Sequence, residues 1–319
     1  MEALDRNKKI YVAGHRGLVG SALVRKLEKE GFSKIITRTH KELDLTRQAE
    51  VEAFFEEEKP DYVMMAAAKV GGIYANDTYP ADFMMENLQI QCNVIDAAYK
   101  NKVKKLLFLG SSCIYPKECP QPIKEEYLLS DYLEKTNEAY ALAKIAGLKM
   151  CSYYNKQYGT NYIGVMPCNL YGINDNFSLE NSHVLPALLR KFHEAKQKGE
   201  RTVIVWGSGK PLREFLNVDD LADACLYLMD SYEGNDFFNV GYGEEISIRE
   251  LAELVKKTVG FEGEIVMDST KPDGTMRKLT DISRIKALGW EPKITLEEGL
   301  KETYQWFCRQ YETGEFAVR

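Results

Sequence analysis

Residues 8–31 read KKIYVAGHRGLVGSALVRKLEKEG. The short apolar run KKIYVAG (8–14) reads as a strand that stops on a glycine. GLVGSALVRKLEKEG (17–31) then places Leu18, Ala22, Leu23 and Leu27 at helical spacing, and Gly31 ends it. Between strand and helix stand Gly14, Gly17 and Gly20, spaced GxxGxxG, with His15, Arg16, Leu18 and Val19 among them. Glycine permits unusual backbone angles at a turn, lets the chain approach a pyrophosphate, and lets helix and strand pack closely. The helix N-terminus then faces the negative charge. A strand, such a turn and a helix at the first βα unit predict a dinucleotide site.

The alternation continues outward. SKIITR (33–38), DYVMMAAA (61–68), VKKLLFLGSS (103–112) and NYIGVMPCN (161–169) read as strands. TRQAEVEAFFEEEK (46–59), with Thr46 as its cap, region 80–100 and TNEAYALAKIAGLKMCSYYNKQYG (136–159) read as helices. Apolar strands without polar alternation, each followed by a helix, predict a Rossmann-type α/β fold. Its parallel sheet is doubly wound, with helices on both faces. After about residue 170, loops rich in Gly, Pro, Asn and Ser predict shorter elements and a smaller α/β substrate-binding domain over the sheet's C-terminal edge.

The bulk numbers agree with an enzyme of this kind. The 319 residues suit one large domain or two modest ones, and the 45% apolar and 28% charged residues are ordinary for a soluble globular protein. A formal charge of −6 gives no nucleic-acid footprint. The first residues lack the apolar core of a signal peptide, and no window reaches the roughly 18 apolar residues of a membrane span. Seven irregularly spaced cysteines without a CxxC pair suggest neither zinc nor a disulfide framework, which reads as a reduced, cytoplasmic protein.

An NAD site usually carries an acid at the end of the second strand. Here that strand ends in Arg38, followed by His40 and Lys41, and Arg16 lies in the glycine turn, so NADP is expected. Asp44 and Leu45 follow near the adenine position. Tyr140 and Lys144 form YxxxK on one helix face, where an ammonium is expected to lower the phenol pKa. LGSSCIYP (109–116) brings Leu109, Gly110, Ser111, Ser112 and Cys113 to the edge where open α/β sheets bind ligands.

Glycine turn, strand-end serine and YxxxK helix together resemble the extended short-chain dehydrogenase/reductases. The stretches AAAKVGGI, FLGSSCIYPK, NEAYALAKIAG, NSHVLPALLRKFHEA and VWGSGKPLREFL are similar to members that act on GDP-4-keto-6-deoxy-D-mannose. Those members invert C3 and C5, then reduce C4 with NADPH to give GDP-L-fucose. The resemblance implies a cofactor part over 1–170, joined by part of 214–240, and a substrate part over 171–319. It implies a reductase triad of Ser111, Tyr140 and Lys144, and an epimerisation pair with Cys113 as base and His183 as acid.

The resemblance also implies cofactor contacts at Gly14 to Gly20, Arg38, His40, Asp44, Leu45, Leu109 to Ser112, Tyr140, Lys144, Pro167, Cys168, Asn169, Leu170 and His183. Substrate contacts are expected at Ser111, Cys113, Asn169, His183, Lys191, Trp206, Arg213 and Asp273, although Trp206 also fits plain core. His40 and Cys168 depart from the pattern, standing where members carry Arg or Lys and Thr. A homodimer through the long helices follows from the resemblance alone. The rival within the fold is an NAD(P)-dependent nucleotide-sugar 4-epimerase or dehydratase. A dehydratase would place Thr, Asp and Glu beside the fourth strand, and a 4-epimerase has no use for Cys113 and His183. The rival outside enzymology is a silent dinucleotide-binding regulator, which would not need Ser111, Tyr140 and Lys144 together.

Overall fold

Residues whose strands are apolar on both faces must be covered on both faces. In the computed structural model, which describes residues 3–179, 182–271 and 273–314, β1 (Ile10–Ala13), α1 (Leu18–Lys29), β2 (Ile35–Ile36), α2 (Gln48–Glu58), β3 (Tyr62–Met65), α3 (Ile73–Thr78), α4 (Pro80–Lys100), β4 (Lys105–Leu109), α5 (Glu138–Tyr158) and β5 (Tyr162–Pro167) come first. There follow β6 (Asn169–Tyr171), α6 (Val184–Lys198), β7 (Thr202–Trp206), β8 (Leu212–Arg213), β9 (Phe215–Asn217), α7 (Val218–Ser231), β10 (Phe237–Val240), β11 (Ile246–Ser247), α8 (Ile248–Val259), β12 (Glu264–Asp268), β13 (Arg277–Lys278), α9 (Ser283–Ala287) and α10 (Leu296–Thr313).

Six strands form one sheet in the order β10-β5-β4-β3-β1-β2, every neighbour pair parallel. Alternate residues feed two cores. Ile10, Val12, Met64, Leu107 and Val165 pack with α1 and α7 on one face. Tyr11, Ala13, Val63, Met65 and Phe108 pack with α2, α4 and α5 on the other. Each such fully buried aliphatic side chain contributes about 1.5–3 kcal/mol, which is why β1, β3, β4 and β5 carry no polar alternation. Strand order reverses between β1 and β3, and the crevice at such a switch point receives ligands.

The remaining elements form a third core from α6, α8, α10 and β7. Residues 218–240 return to the first sheet: α7 packs on α1 and β10 pairs with β5.

Four local expectations need correction. Strand β2 spans two residues, not six. Thr46 does not cap α2; it donates its N–H and hydroxyl to Asp44, and Arg47 precedes the helix without a side-chain cap. The segment 73–78 is a short helix that the sequence reading passed over. Not every element beyond residue 170 is shorter: α6 with 15 residues and α10 with 18 exceed α1 with 12 and α2 with 11, although α4 and α5 have 21 each. Long amphipathic faces were masked there by the glycine- and proline-rich loops between them.

Candidate active site

The glycine turn fits a dinucleotide by its own sterics. Gly14 has φ +82°, and a Cβ there would lie 2.7 Å from Ala67 N in the loop after β3. A Cβ on Gly20 would lie 2.1 Å from Gly14 O, so helix and turn touch backbone to backbone. Gly17 is different: its Cβ would meet only Gly14 O, at 3.5 Å, and its φ is −74°. The protein leaves room there, as a site for an approaching phosphate must. Gly17 offers α1 no side-chain cap, so the first-turn N–H groups around Leu18 and Val19 are left for a ligand. Beyond the turn, Asp44 is fixed by Thr46, and buried Leu45 gives its carbonyl to Asn93.

The strand-end tools sit beside this turn. β4 stops at Leu109, and Gly110 N donates to Val165 O, with Met166 occupying the space a side chain would need. Ser111 is extended and caps a 3-10 turn over Ser112–Ile114, its Oγ accepting from Cys113 N at 3.4 Å. Ser111 and Cys113 are therefore neighbours through a cap, since β4 has already ended at Leu109.

From α5, Lys144 donates to Leu109 O at 2.8 Å and lies over the rings of Phe108 and Tyr140. Burial pushes the Lys144 ammonium down to about 8. Burial also pushes the Tyr140 phenol upward, and the neighbouring Cys113 adds to this. The expected lowering of that phenol by Lys144 is thus overturned: loss of hydration outweighs the ammonium, and Tyr140 is held as a proton donor.

Cys113 and His183 depart from their ordinary values in opposite directions. Burial raises the Cys113 thiol, opposed by Lys278, by a hydrogen bond with Ser111 and by Lys144. His183, reachable from solvent at the start of α6, is crowded enough that lost hydration lowers its imidazole, and Lys278 lowers it further. The unliganded pair is a thiol and a neutral imidazole, not the thiolate and imidazolium that the base-and-acid roles use. Cys168 is buried with its pKa well up, Asn169 donates to Glu214 O, and Pro167 and Leu170 continue this wall.

The residues expected to contact substrate come from the second part of the chain. Lys191 Nζ lies 5.1 Å from the Trp206 ring centre and Lys271 Nζ lies 5.4 Å from it. Trp206 is 63% exposed, so the core reading is excluded. Asp273 accepts from Ser208 N and Oγ, at 2.6 and 2.8 Å, and its charge acts on Arg213. Asn181 of the NSHV stretch and Pro272 beside Asp273 lie outside the described residues.

Two residues were missed. Lys278 stands beside Arg213 in the β13–β8 pairing, and its charge reaches Cys113, Cys168, Cys119 and His183. Its ammonium has no hydrogen bond or ion pair among the described residues. Glu214, fully buried, accepts from Gly243 N, Thr280 N and Thr280 Oγ1 and so holds β13 in place. Buried-strand readings of REFLN (213–217) and RKLTDI (277–282) would have flagged these two charges as misplaced, but nothing local tells which site they serve.

The Arg38 side chain is tied to α2. Its guanidinium lies over Phe54 and pairs with Glu58, which also holds Lys9 at the start of β1. The Arg38 main chain nonetheless meets His15 of the glycine turn, and the Arg38 charge acts on Glu42 in the loop after β2.

Among the described residues, no cluster of His, Cys, Asp and Glu could hold a metal, and no helix is long and apolar enough to cross a membrane. A pyrophosphate cradle at a parallel-sheet switch point, with a Ser-Tyr-Lys set beside it, defines a dinucleotide-dependent enzyme acting next to a carbinol or ketone. The chain belongs to the NAD dependent epimerase/dehydratase family, whose model matches residues 10–241. Within it, the chain is 64% identical over 305 residues to GDP-L-fucose synthase 1 of Arabidopsis thaliana, covering 96% of this chain and 94% of the relative. It is 53% identical over 314 residues to GDP-L-fucose synthase of Escherichia coli (strain K12), covering 96% and 98%. Its fold is similar to that of a GDP-L-fucose synthetase from Naegleria fowleri bound to NADP, with TM-score 0.92, 34% identity, and 98% and 96% coverage.

Proposed function

We propose that this chain converts GDP-4-keto-6-deoxy-D-mannose to GDP-L-fucose, by inversion at C3 and C5 and then NADPH-dependent reduction at C4. The observation that carries this reading is the meeting, at the end of β4, of Ser111 and Cys113, joined by a cap, with Lys144 of the Tyr140 helix, which donates to Leu109 O; the Lys278 charge acts on both Cys113 and His183. The relatives' names supply the substrate.

NADPH, when bound, supplies a hydride to C4. Ser111 and Tyr140 hold the C4 oxygen, and the protonated Tyr140 gives it a proton. Lys144, fixed by Leu109 O, serves the cofactor ribose and the phenol. For epimerisation, the C4 ketone acidifies the hydrogens on C3 and C5. Cys113 removes a proton and His183 returns one to the opposite face. With Cys113 a thiol and His183 a neutral imidazole, the base role needs the thiol to lose its proton first; Lys278 favours the thiolate that results. Ser111 and Tyr140 stabilise the enolate as they stabilise the reduced oxygen.

Lys191 and Arg213 neutralise the diphosphate, and Trp206 offers its exposed ring to the base. The division into a cofactor part (1–170 with 214–240) and a substrate part (171–319) belongs to the same proposal. So do a cytoplasmic location, for which seven free cysteines speak, and a homodimer through α4 and α5. On those helices Met85, Leu142, Tyr153 and Tyr158 are exposed.

The test supplies GDP-4-keto-6-deoxy-D-mannose and NADPH, follows NADPH absorbance, and identifies the sugar by NMR. GDP-L-fucose is expected. Reduction without inversion at C3 and C5, or no oxidation of NADPH, overturns the reading. Tyr140→Phe should stop reduction while deuterium from solvent still enters C3 and C5; Cys113→Ser should abolish that entry. Normal exchange in Cys113→Ser would remove the base assignment.

A further inference from the structure

The third core holds a cluster of titratable side chains that the proposed reaction does not use. His193 comes from α6. Tyr304 and Cys308 come from α10, four residues apart and so on one helix face. His193 Nδ1 stands 3.0 Å from the Tyr304 hydroxyl and 3.9 Å from Cys308 Sγ. The histidine is only 6% exposed, and the rings of Tyr304, Phe307 and Tyr311 meet its ring at steep angles. Burying an imidazole costs hydration that a phenyl ring would not lose, and here the hydroxyl and the sulfur are what meet that cost.

Cys308 is half-buried, between the exposed Cys92 on α4 and the buried Cys113, Cys151, Cys168 and Cys225. Burial lowers the His193 imidazole, so the ring is neutral at physiological pH and keeps a nitrogen lone pair; Glu194 and Glu312 oppose the lowering and Lys196 adds to it. Burial pushes the Tyr304 phenol up, and its hydrogen bond with Cys308 adds to this, so Tyr304 remains an O–H donor. One neighbour can therefore take the thiol proton, and the other can then donate to the sulfur. A base and a donor beside a partly open thiol turn it into a nucleophile. Cys92 lacks this support: burial, and then the Asp96 carboxylate, disfavour its thiolate.

We propose that Cys308 is a modification site that takes small-molecule disulfides into a mixed disulfide, with His193 as proton acceptor and the Tyr304 hydroxyl holding the thiolate. The Cys308 proton passes to His193 Nδ1, and the Tyr304 hydroxyl turns from that nitrogen to the sulfur. The thiolate attacks one sulfur of the disulfide. A new S–S bond forms as the old one breaks, and the departing thiolate takes the proton from His193. One disulfide is consumed and one is made, so no other oxidant enters. This inference is independent of the cofactor and of the sugar chemistry.

The probe is oxidised glutathione, added to the intact chain at neutral pH, with mixed disulfides followed over time peptide by peptide by mass spectrometry. Exposure alone favours Cys92. Cys308 should instead react first, faster than Cys92 by about tenfold or more, a modest share of what a positioned base contributes, and dithiothreitol should reverse the adduct. His193→Asn keeps a hydrogen-bonding group but cannot take the proton, so its Cys308 rate should fall to that of Cys92. Loosened packing would do the reverse, because a smaller side chain opens the sulfur to solvent. Unfolding of His193→Asn would show as labelling of Cys151 and Cys225, which are 1% and 0% exposed; the order of Cys308 and Cys92 in the unaltered protein then decides alone. Reaction of Cys92 ahead of Cys308 or level with it overturns the proposal. So does an undiminished Cys308 rate in folded His193→Asn.

Discussion

Replacing Lys278 by Met removes the charge that acts on both members of the proposed epimerisation pair, Cys113 and His183, while keeping most of the side-chain volume. Two unit charges separated by several ångströms, at an effective dielectric of about 20, interact by on the order of 3 kcal/mol. Lys278 is partly open to solvent in the cleft, so about half of this is a fair expectation, or one pKa unit. The Cys113 thiol, already raised by burial, should rise by that further unit, because Lys278 is the first of the influences lowering it.

The sign follows directly. At neutral pH the thiolate fraction falls about tenfold, and entry of solvent deuterium at C3 and C5 falls with it. At high pH, where the thiol ionises in both proteins, the rates converge. Peptide-resolved alkylation of Cys113 against pH supplies the second readout, since its midpoint should move up by the same unit. Lys278→Arg should restore both. If Lys278→Met leaves the alkylation midpoint in place and raises only the KM for the GDP-sugar, the ammonium serves the diphosphate and the argument is wrong.

Gly20→Ala places a Cβ 2.1 Å from backbone oxygen, so the turn must shift; affinity for NADPH should fall at least tenfold and stability by about 1–3 kcal/mol. Gly17→Ala, with only a 3.5 Å contact, should keep its melting temperature yet lose affinity, and retention of both would deny the phosphate approach. Asp175 is buried, with Oδ2 lacking a hydrogen-bond partner, and burial pushes its carboxyl up to about 7. A folded value above the unfolded one, near 3.9, gives stability that is present below pH 4 and lost as pH rises through 7. Asp175→Asn should therefore raise the melting temperature by several degrees at pH 8 and little at pH 4; equal shifts at both would refute the ionisation argument.

The glycine turn was legible because its constraint is local: Gly14 needs a positive φ, and Gly20 needs the absence of a Cβ. The sheet was legible because alternate residues of each strand enter two cores, leaving unbroken apolar runs. Protonation states were not legible. YxxxK shows that Tyr140 and Lys144 share a helix face, but the cost of burying both outweighs their mutual influence, and only packing reveals it. Arg38 illustrates the same limit. A cation at a strand end looks available in sequence, and nothing in the sequence marks Glu58, twenty residues on, as its partner.

The least legible part is the seam between the two halves, and its construction explains why. A buried carboxylate without an ion-pair partner is costly, and Glu214 meets that cost with hydrogen bonds alone. Its oxygens join the turn at Gly243 to Thr280, and its carbonyl takes Asn169 beyond β5. A second clasp joins Ile123, after the Cys113 turn, to Leu279 and Asp281 by backbone hydrogen bonds. Lys278 lies between these clasps. Its ammonium reaches Cys113 because segments near residues 110, 170, 214, 243 and 280 are tied together, each by contacts distant in sequence. The proposed site thus depends on a carboxylate that touches no reacting atom. Glu214→Gln can accept at Oε1 but must offer N–H groups where Thr280 already donates, so it should loosen β13 and weaken exchange and substrate binding together, while 2′,5′-ADP binding at the far end of the sheet stays unchanged.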